Sequence, residues 1–336
     1  MSDAPKRELP EAPPRAWADG AYAFGRYRTP IVDPSFPVGS LRRLRLKQWH
    51  YTSIATERFF VAFGLVQLHY VANIFVYLVD RERPDPPALY ERLAPLGLGL
   101  SMAKSSVSGV TRFRHKDQRV EVAYDDSYRL RVDVGLEGSA GPTRLKLVGG
   151  FELGESLALL HPLSPERPAY THKAAGLRCH GTLSFGDHRI DLKDALATLD
   201  WTCSMADRHT TWKWASLAGR SLSGREVGLN LSAEVYEDEA GISRENAVWI
   251  DGRVSCLGAV DFEMPSESCC EDWRIRSPDD DSVDLTFRPL GARHADVDYR
   301  LVSSRFVQPY GLFNGRVAGE ELRDVFGVVE DHDARW

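Results

Sequence analysis

Between residues 118 and 151 the chain repeats a two-residue rhythm. Val120, Val122 and Tyr124 alternate with Glu121 and Ala123, and Leu130, Val132 and Val134 alternate with Arg129, Arg131 and Asp133. Leu145, Leu147 and Phe151 continue the pattern. Successive side chains of a strand point to opposite faces, so this rhythm predicts strands with one face buried and one face wet. Asp125-Asp126-Ser127 and Glu137-Gly138 interrupt it with residues that suit tight turns, which predicts antiparallel hairpins. A chain written this way has few options: barrels or strongly curved sheets. Many short strands with few helical patterns argue against a βαβ fold.

The rest of the 336 residues fits that expectation. Residues 1–40 are proline-rich and predict an extended lead-in lying on the surface. Residues 41–165 and 166–336 read as two β-barrel-like domains joined near Pro162–Pro168, where three prolines suggest a link. Further strands are expected over 181–185, 227–236, 246–250, 254–263, 283–288, 299–307, 312–318 and 322–329. A polar loop is expected from Asp80 to Pro87, and short helices over 88–93 and 191–198. Residues 59–79 contain no Asp, Glu, Lys or Arg, long enough to cross a bilayer. Gly64, Gln67, His69 and Asn73 interrupt the run, and its β-branched and aromatic content favours two buried strands turning near 69–73.

Composition narrows the function. The net charge is −6 and no basic block occurs, so nucleic acid is not an expected partner. Five cysteines without a C-x-x-C predict no disulfide framework and fit a cytoplasmic protein, as does a start without an apolar leader segment. The sequence has no G-x-S-x-G and no P-loop. Gly97-Leu98-Gly99 lacks the third glycine of a dinucleotide fingerprint. His172, His180 and His188 recur every eight residues without a metal-binding pattern, so no metal and no cofactor are expected.

Residues 200–252 concentrate the chemistry. Four of the 8 tryptophans fall here, Trp201, Trp212, Trp214 and Trp249, among Asp200, His209, Asn230, Glu245 and Asn246. Polar groups inside apolar runs cost free energy unless something pairs with them. On strands, Trp212 with Trp214 and Glu245 with Trp249 would share faces. A carboxyl desolvated beside an indole is raised in pKa, and an indole face stabilises a nearby cation. Glu245 and Asp200 are therefore candidate acids or bases and His209 a candidate proton relay. Trp201, Trp212, Trp214, Asn230, Asn246, Trp249, Gln308 and Tyr310 are candidate ligand contacts. Each has a structural alternative. The tryptophans suit a barrel core, Asp200 the cap or end of a local turn, Asn230 a backbone group at a bulge, Glu245-Asn246 a strand-locking network, and Gln308, Tyr310 and His332 a barrel end. Lys173 is expected to be solvated, with binding of an anionic head group as its alternative, and Asp251-Gly252 reads as a hairpin turn.

These residues resemble a known family. The strings Tyr170-Thr171-His172-Lys173, Leu199-Asp200-Trp201, Trp212-Lys213-Trp214-Ala215, Gly228-Leu229-Asn230-Leu231, Glu245-Asn246 and Trp249-Ile250-Asp251-Gly252 look like domain-of-unknown-function family 2804. So do the run from Phe306 to Gly311 and Glu330-Asp331-His332. Lys47-Gln48-Trp49-His50-Tyr51 resembles the family's first half, departing at Gln48, where an acidic residue is expected. The family is distantly similar to calycin-like, lipocalin-type double-barrel proteins such as carotenoid hydratases and tocopherol cyclases. The resemblance implies two packed antiparallel barrels, or strongly curved sheets, with an apolar cavity. It implies no activity. The expected partner is a hydrophobic small molecule or lipid, with transient contact at a membrane surface. Two functions stay open: an acid/base hydratase, isomerase or cyclase, and a carrier that does no chemistry. A purely structural role would require the two halves to pack with no cavity.

Overall fold

The computed structural model describes residues 9–39, 42–125, 127–139, 141–265, 271–299 and 302–335. The protein is almost entirely β, built as two large curved antiparallel sheets that form half-barrels. Among the described residues the sole helical element is a 3-10 turn at Arg42–Arg45.

The first sheet is 14-stranded. Its centre is Lys47–Ala55 flanked by Phe59–Gln67 on one side and Leu196–Ser204 on the other. Arg167–Phe185, Thr143–Phe151, Tyr128–Leu136 and Gln118–Tyr124 continue it. The alternation seen in sequence is the inside and outside of this sheet. Val120, Val122, Leu130, Val132 and Val134 are buried in one apolar core, while Arg129 and Arg131 face out. The sheet curls until Leu89 and Glu137, on distant strands, exchange backbone hydrogen bonds of 2.8 and 2.9 Å. The lead-in closes the curl. Ala16 and Ile31 are fully buried in the same core, Ile31 N donates to Tyr170 Oη at 3.0 Å, and Gly25–Tyr27 pairs with Leu157–Ser164.

The second, 9-stranded sheet runs from His209–Arg220 to Glu320–Arg335 and holds its own core around Leu229, Trp273, Phe287 and Phe313. A third apolar cluster, including Tyr51, Phe60, Tyr77, Trp214, Tyr310 and Phe326, lies between the sheets. The strands of 59–79 pair with each other around a turn at His69, and among the described residues no helix is long and apolar enough to cross a membrane.

Several local expectations change. Residues 88–93 are not helical. They lie in the strand Arg83–Pro95, which also takes up most of the expected loop. Its prolines are tolerated because it is a sheet edge, where a missing N–H breaks no ladder. Of residues 191–198, Asp191 ends one strand, 192–195 make a turn, and 196–198 already belong to the strand Leu196–Ser204. That strand is buried on both faces, which removes the two-residue rhythm that identifies a strand from sequence. Pro162–Pro168 is a hairpin joining Leu157–Ser164 to Arg167–Phe185, both in the first sheet. The chain passes between sheets at residues 205–208 instead. Residues 254–263 are two strands, Arg253–Cys256 and Asp261–Glu263, and 302–317 are one continuous strand.

Candidate functional site

Register across the first sheet sets one wall of a cavity. Lys173 pairs with Asp200, Asp200 with Tyr51, Tyr51 with Gly64 and Gly64 with Phe75. These residues form one cross-strand row on the face turned toward the second sheet, because direct partners share a face. Gly64 is required in that row. A Cβ there would come within 2.3 Å of the Phe75 ring, which lies across the strand. The second sheet answers with two rows, Ser232–Trp214–Glu330 and Trp212–His332–Phe306. Between the walls is a cavity of about 320 Å³, at the lower end of the roughly 300–1,000 Å³ common for small-molecule sites. It lies between the sheets, and the interior of the first curl is filled by core side chains and the lead-in.

Two carboxyl systems face this cavity. In the first, Lys173 Nζ lies 2.5 Å from Asp200 Oδ2 and 3.4 Å from Glu245 Oε1. Trp49 Nε1 and Thr202 Oγ1 also donate to Asp200 Oδ1, at 3.2 and 3.1 Å. Burial works against the Lys173 charge, but Asp200 and Glu245 outweigh it and hold the ammonium above the usual lysine value. Burial pushes Glu245 up, with Lys173 pulling it part of the way back. Ser232 Oγ approaches Glu245 Oε2 at 3.4 Å.

In the second system, Trp212 Nε1 donates to Glu330 Oε1 at 2.7 Å and Gln308 Nε2 donates to Oε2 at 2.9 Å. Tyr77 Oη fixes Gln308 by donating to its Oε1 at 2.9 Å. Desolvation pushes Glu330 up to about 7 despite these donors. His332 stands edge-on to Trp212, ring centroids 4.1 Å apart, with Nε2 2.8 Å from Ser304 Oγ. Burial, reinforced by Arg293, lowers it to about 3, so its ring is neutral. Trp49 of one sheet and Trp212 of the other stack across the cavity at 6.4 Å.

Asp200, Glu245, Trp212, Trp214 and Gln308 therefore meet at one cavity, and His209 stands at its exposed rim, 2.9 Å from Asp333. Asn230 lies behind the wall, accepting from Trp214 Nε1 at 2.8 Å and donating to the Glu245 carbonyl at 3.0 Å. Asn246 lies there too, between Ser232 N and the Gly258 carbonyl. Tyr310 is buried between the sheets and donates to the Pro84 carbonyl at 2.8 Å. Trp201 and Trp249 are not brought to the cavity. Trp201 follows Asp200, so the strand turns it into the first core. Trp249 packs elsewhere and donates to the Glu155 carbonyl. Its expected shared face with Glu245 fails because Glu245 lies in a turn before the strand Ala247–Ile250.

Glu330, Trp49 and Tyr51 were missed by the sequence reading, and Lys173 is buried where solvation was expected. The signals existed: Glu330 ends an apolar run and shares parity with His332, as Trp49 does with Tyr51. Asp251 and Gly252, with φ of 50° and 78°, make the expected turn. Among the described residues no group of three or more His, Cys, Asp or Glu could hold a metal. Cys179, Cys203 and Cys256 are unpaired thiols, and Cys269 and Cys270 lie outside the described residues.

The chain is similar to several solved structures. A candidate AttH protein from Nitrosomonas europaea is 14% identical, with 89% of this chain and 98% of that one covered and a TM-score of 0.45. Kievitone hydratase from Nectria haematococca is 10% identical, with 86% and 88% covered and a TM-score of 0.41. CghA with Sch210972 is 9% identical over the same shares, with a TM-score of 0.47. No curated protein matches the sequence. The family described as Domain of unknown function (DUF2804) matches residues 8–336, and the chain belongs to that family.

Proposed function

We propose that the cavity between the sheets binds an apolar, unsaturated small molecule and that the protein moves protons on and off it, as a hydratase, isomerase or cyclase does. One observation carries this reading: two carboxyl systems with opposite surroundings face a single tryptophan-walled cavity. Asp200 is tied to an ammonium, whereas Glu330 accepts only from neutral donors and carries its proton near neutrality. Such separation of environments assigns acid and base roles.

Glu330 would deliver a proton to one carbon of a double bond. The positive charge left on the neighbouring carbon would lie against the indole faces of Trp49 and Trp212. Attack by water or by a hydroxyl of the ligand, followed by loss of the O–H proton, or loss of a proton from an adjacent carbon, with or without a preceding ring closure that moves the charge, would then discharge the cation, and the released proton returns to a carboxylate of the cavity. A cytoplasmic setting and uptake of the ligand from a membrane surface belong to the same proposal.

The test uses a neutral-lipid extract in D2O. Parent protein should place deuterium in, or convert, a component that the Glu330→Gln variant leaves unchanged, read by mass spectrometry. A molecule that copurifies with the parent yet emerges unlabelled after prolonged incubation would instead make the protein a carrier.

A further inference from the structure

The charges at the Lys173 end of the cavity do not balance. One ammonium stands against two buried carboxylates, Asp200 and Glu245. Glu245 Oε1 lies 3.4 Å from Lys173 Nζ and accepts no hydrogen bond of good geometry, although the Thr171 hydroxyl and the Lys173 ammonium both help to hold the carboxyl, whose side chain is 3% exposed and lines the cavity. A buried acceptor left this way is costly and marks a place for a donor. Three cations nearby are already engaged. Arg293 stands behind Phe75 and Phe306, stacked on both rings, and is paired with Glu91. At the mouth, Lys213 is paired with Glu234 and Arg167 with Asp207.

An anionic head group would therefore enter beside Asp200 and Glu245 with its own desolvation uncompensated. A hydroxyl or ammonium would find Glu245 Oε1 waiting. From this we infer that the ligand is a hydrophobe carrying a hydrogen-bond donor, which it gives to Glu245, and that the cavity rejects fatty-acid and other carboxylate hydrophobes. The inference rests on the proposal above that the cavity holds an apolar molecule, and it names the class of head group.

Calorimetric titration of the full chain with four probes built on one ring system tests it: 2-naphthalenemethanol, 2-naphthylmethylammonium, 2-(methoxymethyl)naphthalene and 2-naphthylacetate. The alcohol and the ammonium should each bind about tenfold or more tighter than the ether, which lacks a donor, and than the carboxylate. In Glu245→Met the alcohol should fall to the affinity of the ether. Equal affinity of alcohol and ether for the parent, or a carboxylate that binds as well as the alcohol, overturns the head-group assignment while the apolar cavity stands. Binding of none of the four overturns the cavity reading and this inference with it. The rank order on the parent decides the matter even if Glu245→Met does not fold.

Discussion

Replacing Glu330 with Gln tests whether its carboxyl is held neutral. Burial moves this group from its ordinary 4.5 to about 7. Between those values the folded chain keeps a proton that the unfolded chain has released. A state that binds more protons loses ground as pH rises, so the folded state weakens from pH 4.5 to pH 7. At about 1.4 kcal/mol per pH unit, the parent loses about 3 kcal/mol over that interval through this residue alone. Gln cannot ionise and has no such loss. It does place an amide nitrogen where Glu330 accepted from Trp212 or Gln308, which costs about 1 kcal/mol at every pH unless Gln308 turns over. Urea unfolding of both proteins from pH 4 to pH 8.5 separates the two effects. The variant should start slightly less stable than the parent, gain on it by about 3 kcal/mol between pH 4.5 and pH 7, and hold that gain above pH 7. A stability difference that stays level across the whole range would refute the reasoning, because it would mean that Glu330 ionises like a surface carboxylate.

Three further outcomes follow from the same geometry. Lys173→Met leaves Asp200 and Glu245 buried without their cation and should cost about 3–5 kcal/mol in urea unfolding, with Asp200→Asn in the same chain recovering part of it. Gly64→Ala drives a methyl into the Phe75 ring and should destabilise by about 1–3 kcal/mol while weakening any ligand of the cavity, measurable by calorimetry. His172 is fully buried and lowered to about 3 by desolvation, so the unfolded chain takes up its proton near pH 6.5 and the folded chain does not. Its contribution fades as pH falls from 6.5 to 3, and His172→Phe should make the acid side of the stability profile shallower by about 1.4 kcal/mol per pH unit.

The fold class was legible where one face of a strand meets water. Arg129 and Arg131 lie outside and Leu130 and Val132 inside because a period of two admits no other arrangement on a half-buried sheet. Legibility failed where both faces are covered. In Leu196–Ser204 the residues facing the first core and those facing the second sheet are equally buried, and hydrophobicity no longer distinguishes strand from helix. The site was legible in part for a related reason. Trp212 and Trp214 share a face because they sit within one strand, whereas Glu245 precedes its strand and escapes the parity rule. Lys173 and Glu330 carry no local mark of burial. Their partners, Asp200 and Gln308, each on a neighbouring strand, are set by register, which a single sequence does not display.

The lead-in has a consequence for the order of assembly. Residues 9–39 leave the ribosome ahead of every strand they contact. Ile31 needs the hydroxyl of Tyr170, and Gly25–Tyr27 needs Leu157–Ser164 as its pairing partner. The first sheet itself is incomplete until Leu196–Ser204 has been made, since that strand joins the hairpins of 47–95 to the long strand Arg167–Phe185. This segment, made before its partners, is thus among the last able to dock, after a loop of more than a hundred residues has closed. Until then the nascent chain carries an open barrel mouth, and its proline-rich composition keeps the waiting segment from pairing with the strand edges that emerge after it.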